Sequence, residues 1–184
     1  MRIFLAVTFS NYIKMQILKI QEQLRSQVLK ESFSRGSFSR VENFHLTVAF
    51  LGETPEEKLA ILLEIMNKIE STPFDLSFNC TGCFTHSRKE LWWIGVDPAC
   101  PGLHLIESIH NQLINYFIEE GFTPDTRPFR THITLGREIK HAAPIVLDKP
   151  DITFKIDHIS LMKSENRGGL LAYTELKRHV FTGT

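Results

Sequence analysis

Two four-residue stretches in different halves of the chain share one pattern: His45-Leu46-Thr47-Val48 within FHLTVAF, and His132-Ile133-Thr134-Leu135 within THITLGR. Along an extended strand, residues two apart point to the same side. Each copy therefore presents an imidazole beside a hydroxyl on one face and buries two aliphatic side chains on the other. If the two strands meet, two imidazoles and two hydroxyls converge on one concave surface.

That set suits a phosphate ester. An imidazole titrates near pH ~6.5, so one copy can take a proton while the other gives one. The hydroxyls can donate hydrogen bonds to non-bridging oxygens. Arg137, three residues after Thr134, and Arg130, two before His132, are the guanidinium groups nearest in sequence to offset charge in the transition state. Such chemistry requires neither a metal nor a cofactor, and none is assigned here.

Other candidate groups are weaker. Cys80-Thr81-Gly82-Cys83 with His86 has the spacing of half a zinc site, but no second cysteine pair completes it. Trp92 and Trp93 read as one core anchor and one cleft wall, on opposite faces of a strand. The remaining six histidines lack a repeated context and read as surface or satisfied groups. Asp148 and Asp157 are candidates to orient an imidazole. Arg127 suits a surface ion pair as well as a phosphate contact.

The elements that must position the paired motifs follow from periodicity. Residues 2–9 alternate and are rich in β-branched and aromatic types, as a strand should be. Ser10 can cap a helix whose stripe is Ile13, Ile17, Ile20, Leu24 and Val28. Residues 32–42, SFSRGSFSRVE, break both periods and read as a Ser- and Arg-rich loop, with an anion contact as the minor alternative to plain solvation. A strand over 44–51 carries the first motif. A helix then starts with Thr54 as cap, Pro55 at its first position and Glu57 closing a capping box. Strands are expected near 74–80 and 91–97, a helix over 101–120 ending at Gly121, and late strands over 152–163 and 170–179 around the turn ENRGG.

The chain has 184 residues, 42% of them hydrophobic, enough for one compact domain with a sizeable core. Lys plus Arg equals Asp plus Glu at 21 each, which argues against broad, non-specific binding to nucleic-acid backbone but not against a few placed phosphate contacts. No apolar run is long enough to span a membrane, and the N-terminus reads as a first strand rather than a secretory leader. Three cysteines are unsuited to a disulfide framework, so a cytoplasmic location is expected. The element order gives an α+β, mostly antiparallel fold with helices on the outer faces of the sheet.

ENFHLTVAFLGE and RPFRTHITLGR together resemble the two signature motifs of the two-histidine phosphoesterase superfamily, and within it the RNA 2′,3′-cyclic phosphodiesterase family, also called 2′–5′ RNA ligases. The likeness extends over essentially the whole chain. It implies a single domain over residues 1–184 with two pseudo-symmetric lobes and an active-site cleft between them. It implies His45 as proton donor, His132 as proton acceptor, Thr47 and Thr134 on the phosphate, Arg137 as the arginine after the second motif, and Phe50, on the face of His45 and Thr47, as a base-stacking group. The substrate it implies is an RNA end or nucleotide bearing a 2′,3′-cyclic phosphate, with no obligate protein partner and a monomeric state. Two departures stand out: Thr131 replaces a common Pro, and Gly136 a common Ala. The alternatives are a non-catalytic nucleotide or RNA-end-binding module that keeps the cleft and, last, a two-histidine metal site, which Thr would serve poorly.

Overall fold

The alternating opening forms strand β1 (Arg2–Thr8) in the computed structural model, which describes residues 1–30, 35–87 and 89–182. Helix α1 (Asn11–Leu29) follows, its start capped by Ser10 Oγ accepting from the Ile13 amide. Strands β2 (Arg35–Phe38) and β3 (His45–Glu53) lead to α2 (Leu59–Asn67). Then come β4 (Phe74–Phe78), β5 (Cys80–His86), β6 (Lys89–Gly95), α3 (Leu103–Glu119), β7 (His132–Lys140), β8 (Ile152–Ile156), β9 (His158–Arg167) and β10 (Leu170–Val180). The fold is α+β and every strand pairing is antiparallel.

Three expectations need correction, and one strand was not expected. The 32–42 segment is not all loop: Arg35–Phe38 is an edge strand whose partner, β7, supplies hydrogen bonds that its own sequence does not announce, and Val41–Asn43 is a 3-10 turn; residues 32–34 lie outside the described residues. Thr54 does not cap a helix. Its amide donates to the Met1 carbonyl, the N-terminal ammonium donates back to its carbonyl, and its hydroxyl turns to the Gly52 carbonyl, so α2 begins later, after a 3-10 turn over Glu56–Lys58. The 152–163 stretch is two strands that join different sheets on either side of Asp157. Strand β5 had no forecast and pairs along its whole length with β6.

One four-stranded sheet runs β10-β9-β1-β3 and a second runs β2-β7-β6-β5, with β4-β8 as a separate pair. One hydrophobic core joins them, containing Ile17, Leu24, Leu46, Val48, Ile109, Leu113, Ile133 and Leu135. The helices are exchanged between the sheets. Helix α1 leaves β1 of the first sheet and packs on β2 and β7 of the second, while α3 leaves β6 of the second and packs on β3 of the first.

The two motif strands are built alike. Pairing sets Leu5 against Ala49 and Ala6 against Thr47, which leaves Val48 as the extra residue of a bulge. Pairing also sets Trp92 against Gly136 and Trp93 against Thr134, leaving Leu135 as the extra residue at the equivalent place. A bulge shifts the alternation by one. Residues after it return to the face of the histidine, which is how Phe50 and Arg137, at odd separations from His45 and His132, both reach that face.

Candidate active site

Each bulge is pinned from beneath by the exchanged helix. Gln21 of α1, fully buried, donates from Nε2 to the Leu135 carbonyl (2.7 Å) and to the Ser39 carbonyl (2.7 Å). His110 of α3 donates from Nδ1 to the Val48 carbonyl (2.7 Å) and stacks on Phe129. Leu46, Val48, Ile133 and Leu135 are buried below, so the neighbouring His and Thr side chains must face the other way.

Both imidazoles are anchored by one device. Nδ1 of His45 donates to the Asn43 carbonyl and Nδ1 of His132 to the Arg130 carbonyl, each at 2.7 Å. A carbonyl only accepts, so Nδ1 carries the proton and the neutral ring keeps its lone pair on Nε2. Nε2 of His45 lies 3.0 Å from Thr47 Oγ1. Arg137 donates from Nη2 to Thr134 Oγ1 at 3.4 Å. His45, Thr47, His132, Thr134 and Arg137 all line one pocket of about 330 Å³, together with Tyr173 and Leu171 from β10 and Ser37 from β2.

The remaining expected residues stand apart from that lining. Arg130 is exposed and reaches the site through its backbone carbonyl, not its guanidinium. Phe50 is on the expected face but packs beside Phe4 and Met162, with the Arg2 guanidinium over its ring. Asp157 bonds His158 and Asp148 accepts from Gln23, so neither orients His45 or His132. Arg127 is engaged with Asp125. Cys80 and Cys83, three apart on β5, fall on opposite faces of the strand, and among the described residues no three His, Cys, Asp or Glu side chains cluster as metal ligands.

Sequence reasoning missed the aromatic neighbours. Phe4 and Tyr173 flank the His45 ring at 4.9 and 5.0 Å between centroids. Phe84 meets His132 edge-on at 5.4 Å and leans on Trp93, whose indole lies where side chains at Gly82 and Gly95 would be. Only Trp93 had a signal, its place on the face opposite Trp92.

Burial dominates the electrostatics. Desolvation pushes His45 down to about 4, opposed by its bond to the Asn43 carbonyl and assisted by the charges of Arg137 and His132. His132 is also lowered, first by burial and then by Arg137, against its bond to the Arg130 carbonyl. Both rings are therefore neutral at pH 7, with Nε2 able to accept a proton.

An α+β fold that brings two His-x-Thr strands from two sheets to one pocket has the groups for proton transfer to and from opposite sides of a phosphate. Residues 17–168 match the 2′-5′ RNA ligase superfamily, and the chain belongs to that family. The RNA 2′,3′-cyclic phosphodiesterase of Archaeoglobus fulgidus is 32% identical over 149 residues, covering 80% of this chain and 78% of that protein. Its namesake in Methanocaldococcus jannaschii is 31% identical over 180 residues, covering 89% and 91%. The crystal structure of Escherichia coli LigT complexed with 3′-AMP matches with a TM-score of 0.84 at 27% identity, over 99% of this chain and 98% of that one.

Proposed function

We propose that this protein hydrolyses a terminal 2′,3′-cyclic phosphate on RNA to a 2′-phosphate by two-histidine acid–base catalysis. The observation that carries the reading is the pair of identically anchored imidazoles, each beside a threonine hydroxyl, lining one pocket in a chain whose relatives bear the name RNA 2′,3′-cyclic phosphodiesterase. The two sheets act as the two lobes of the enzyme. Its setting is a single-domain monomer in the cytoplasm; the three free cysteines suit a reducing compartment, and among the described residues no helix is long and apolar enough to cross a membrane.

In the proposed reaction His132 Nε2 takes a proton from water as the water oxygen attacks phosphorus. The bond to the 3′ oxygen breaks, and His45 Nε2–H protonates that oxygen, leaving a 2′-phosphate. Thr47 and Thr134 donate to the non-bridging oxygens, and Arg137 offsets the charge they gain. Because burial holds His45 neutral, the phosphate anion of the substrate must draw the acid's proton onto it. A 5′-hydroxyl in the place of water would form a 2′–5′ phosphodiester with the same departure of the 3′ oxygen, which is the ligation direction.

The test is an assay of product identity. Nucleoside 2′,3′-cyclic phosphate is expected to give the 2′-monophosphate, 3′,5′-cyclic substrate to stay intact, and EDTA to have no effect. His45→Ala and His132→Ala should each lose roughly 10²–10⁴-fold in kcat while staying folded. Full activity in either variant would overturn the reading; binding of the cyclic nucleotide without turnover by the unaltered protein would mark a binding module instead.

A further inference from the structure

The carbonyl that anchors His45 belongs to Asn43, and Asn43 is tied at its other end to a distant strand. Its backbone oxygen accepts from His45 Nδ1 at 2.7 Å, while its side-chain Nδ2 donates to the Leu171 carbonyl of β10 at 2.8 Å. The residue before it is held from another side, where Lys14 of α1 donates from Nζ to the Glu42 carbonyl at 2.9 Å. The residue after it, Phe44, is buried in the core. Within the 3-10 turn over Val41–Asn43 the backbone bonds only to itself, Asn43 N–H to Arg40 and Phe44 N–H to Val41, so those bonds do not fix where the turn sits. Its place comes from the helix, the core and β10. Arg130, whose carbonyl anchors His132, has an exposed side chain instead.

We infer that Asn43 is a positioning residue whose side-chain bond to Leu171 sets the carbonyl that fixes the His45 ring, and so joins the acid to the pocket wall on the β9–β10 hairpin. The inference rests on the proposed function for the role of His45 as acid. That wall is the start of β10: Leu170, Leu171 and Tyr173 line the pocket with Gly169 of the turn. Tyr173 also meets the His45 ring edge-on at 5.0 Å, so one strand reaches the acid twice, by a ring contact and through Asn43. A carbonyl holds an imidazole only as firmly as its own peptide is held. With the proton fixed on Nδ1, Nε2 is left for the pocket; with the carbonyl loosened, the proton can sit on either nitrogen and the ring can turn. Asn43 acts through His45 and needs no contact with the substrate.

The experiment reads the ring directly. Nitrogen-15 spectra of the histidine rings at pH 7 show which nitrogen carries the proton, with His45→Gln identifying the His45 signals. In the unaltered protein His45 is expected as one Nδ1–H tautomer. Asn43→Ala should give a mixture of the two tautomers at His45 and leave His132 as it is, which also reports that the variant folds. Asn43→Asp, equal in size but unable to donate to Leu171, should do the same. On nucleoside 2′,3′-cyclic phosphate both variants should lose about tenfold in kcat with KM within about twofold, because the acid is misplaced while the groups that hold the phosphate stay. An unchanged His45 tautomer in either variant, an equal change at both histidines, or a loss confined to KM would each overturn the inference. The spectra need no turnover, so a failure of the catalytic reading would appear separately, as a lack of 2′-phosphate product from the unaltered protein.

Discussion

The strands β3 and β7 are two solutions to one problem, and they differ at a single informative position. Both run His, buried, Thr, buried, buried, and both hold the imidazole by a carbonyl two residues earlier. Both place a bulge after the threonine, and both have its carbonyl gripped by a helix from the other half of the chain. The residue that the bulge returns to the histidine's face is Phe50 in one and Arg137 in the other. Shared geometry thus sets the acid–base pair, and the broken symmetry decides where the positive charge sits. Arg137 bonds Thr134 and lines the pocket, whereas Phe50 packs on Phe4 beneath its own guanidinium, Arg2.

Outside the two histidines, the largest expected effect comes from breaking that difference. Arg137→Ala removes the one cation lying along the phosphate-binding threonine. It should lower kcat about 10²-fold, close to 3 kcal/mol of transition-state stabilisation. Phe50→Ala at the matching position should leave the rate within about threefold, and instead lower stability by about 1–2 kcal/mol, since the ring is half-buried. Steady-state kinetics and thermal melts of the two variants check both halves. Equal kinetic losses would mean that the two positions are functionally alike, against the geometry.

The repeated motif, the first strand and helices α1 and α3 were legible because each is a local pattern: alternation in one case, a 3.6-residue stripe in the others. The bulges were not legible. Nothing in Thr47-Val48-Ala49 announces that two consecutive residues will both be buried; the register against β1 decides it. Strand β2 was hidden for the same reason, since RGSF has little strand propensity and owes its form to pairing with β7. Thr54 had every local feature of a cap, yet two hydrogen bonds to Met1 fix it elsewhere. The rings that flank the histidines, Phe4, Tyr173 and Phe84, come from three other strands, and sequence separation conceals such neighbours. The groups with a counterpart in the other motif were the ones that could be found.

The pins beneath the bulges offer the next comparison. Gln21 is fully buried and donates to two carbonyls, one on β7 and one beside β2, so Gln21→Leu takes a donor from each, leaving the Leu135 carbonyl with the Ser39 amide alone, and also removes the unpartnered Oε1. A destabilisation of about 1–2 kcal/mol is expected. His110 is half-buried and makes one such bond while its ring stacks on Phe129. His110→Gln keeps a donor of similar reach and should lose less than about 1 kcal/mol. Chemical denaturation gives both values. Activity should fall with Gln21→Leu beyond what unfolding explains, because the Leu135 carbonyl it holds belongs to the residue after Thr134. A Gln21→Leu protein with unaltered stability and rate would show that the bulge holds itself.

The smallest and most pH-specific effect separates the two histidines. His45 sits between Phe4 and Tyr173, and burial holds it at about 4, below the ~6.5 of an unfolded chain. Between those values the unfolded chain binds the extra proton and the folded one does not, so stability rises with pH across this window. As pH falls from 7 to 5, His45 alone should remove about 1–2 kcal/mol, and His45→Gln should abolish that share of the acid sensitivity. His132 is also lowered, so His132→Gln should flatten the curve in the same direction. Binding reverses the sign. A phosphate group beside His45 favours its charged form, so a nucleoside 2′-monophosphate should bind with proton uptake near pH ~6.5, measurable by calorimetry in buffers of different ionisation enthalpy. If His45 is the acid, most of that uptake disappears in His45→Gln. If it persists there and disappears in His132→Gln, the donor and acceptor roles of the two strands are the reverse of those proposed.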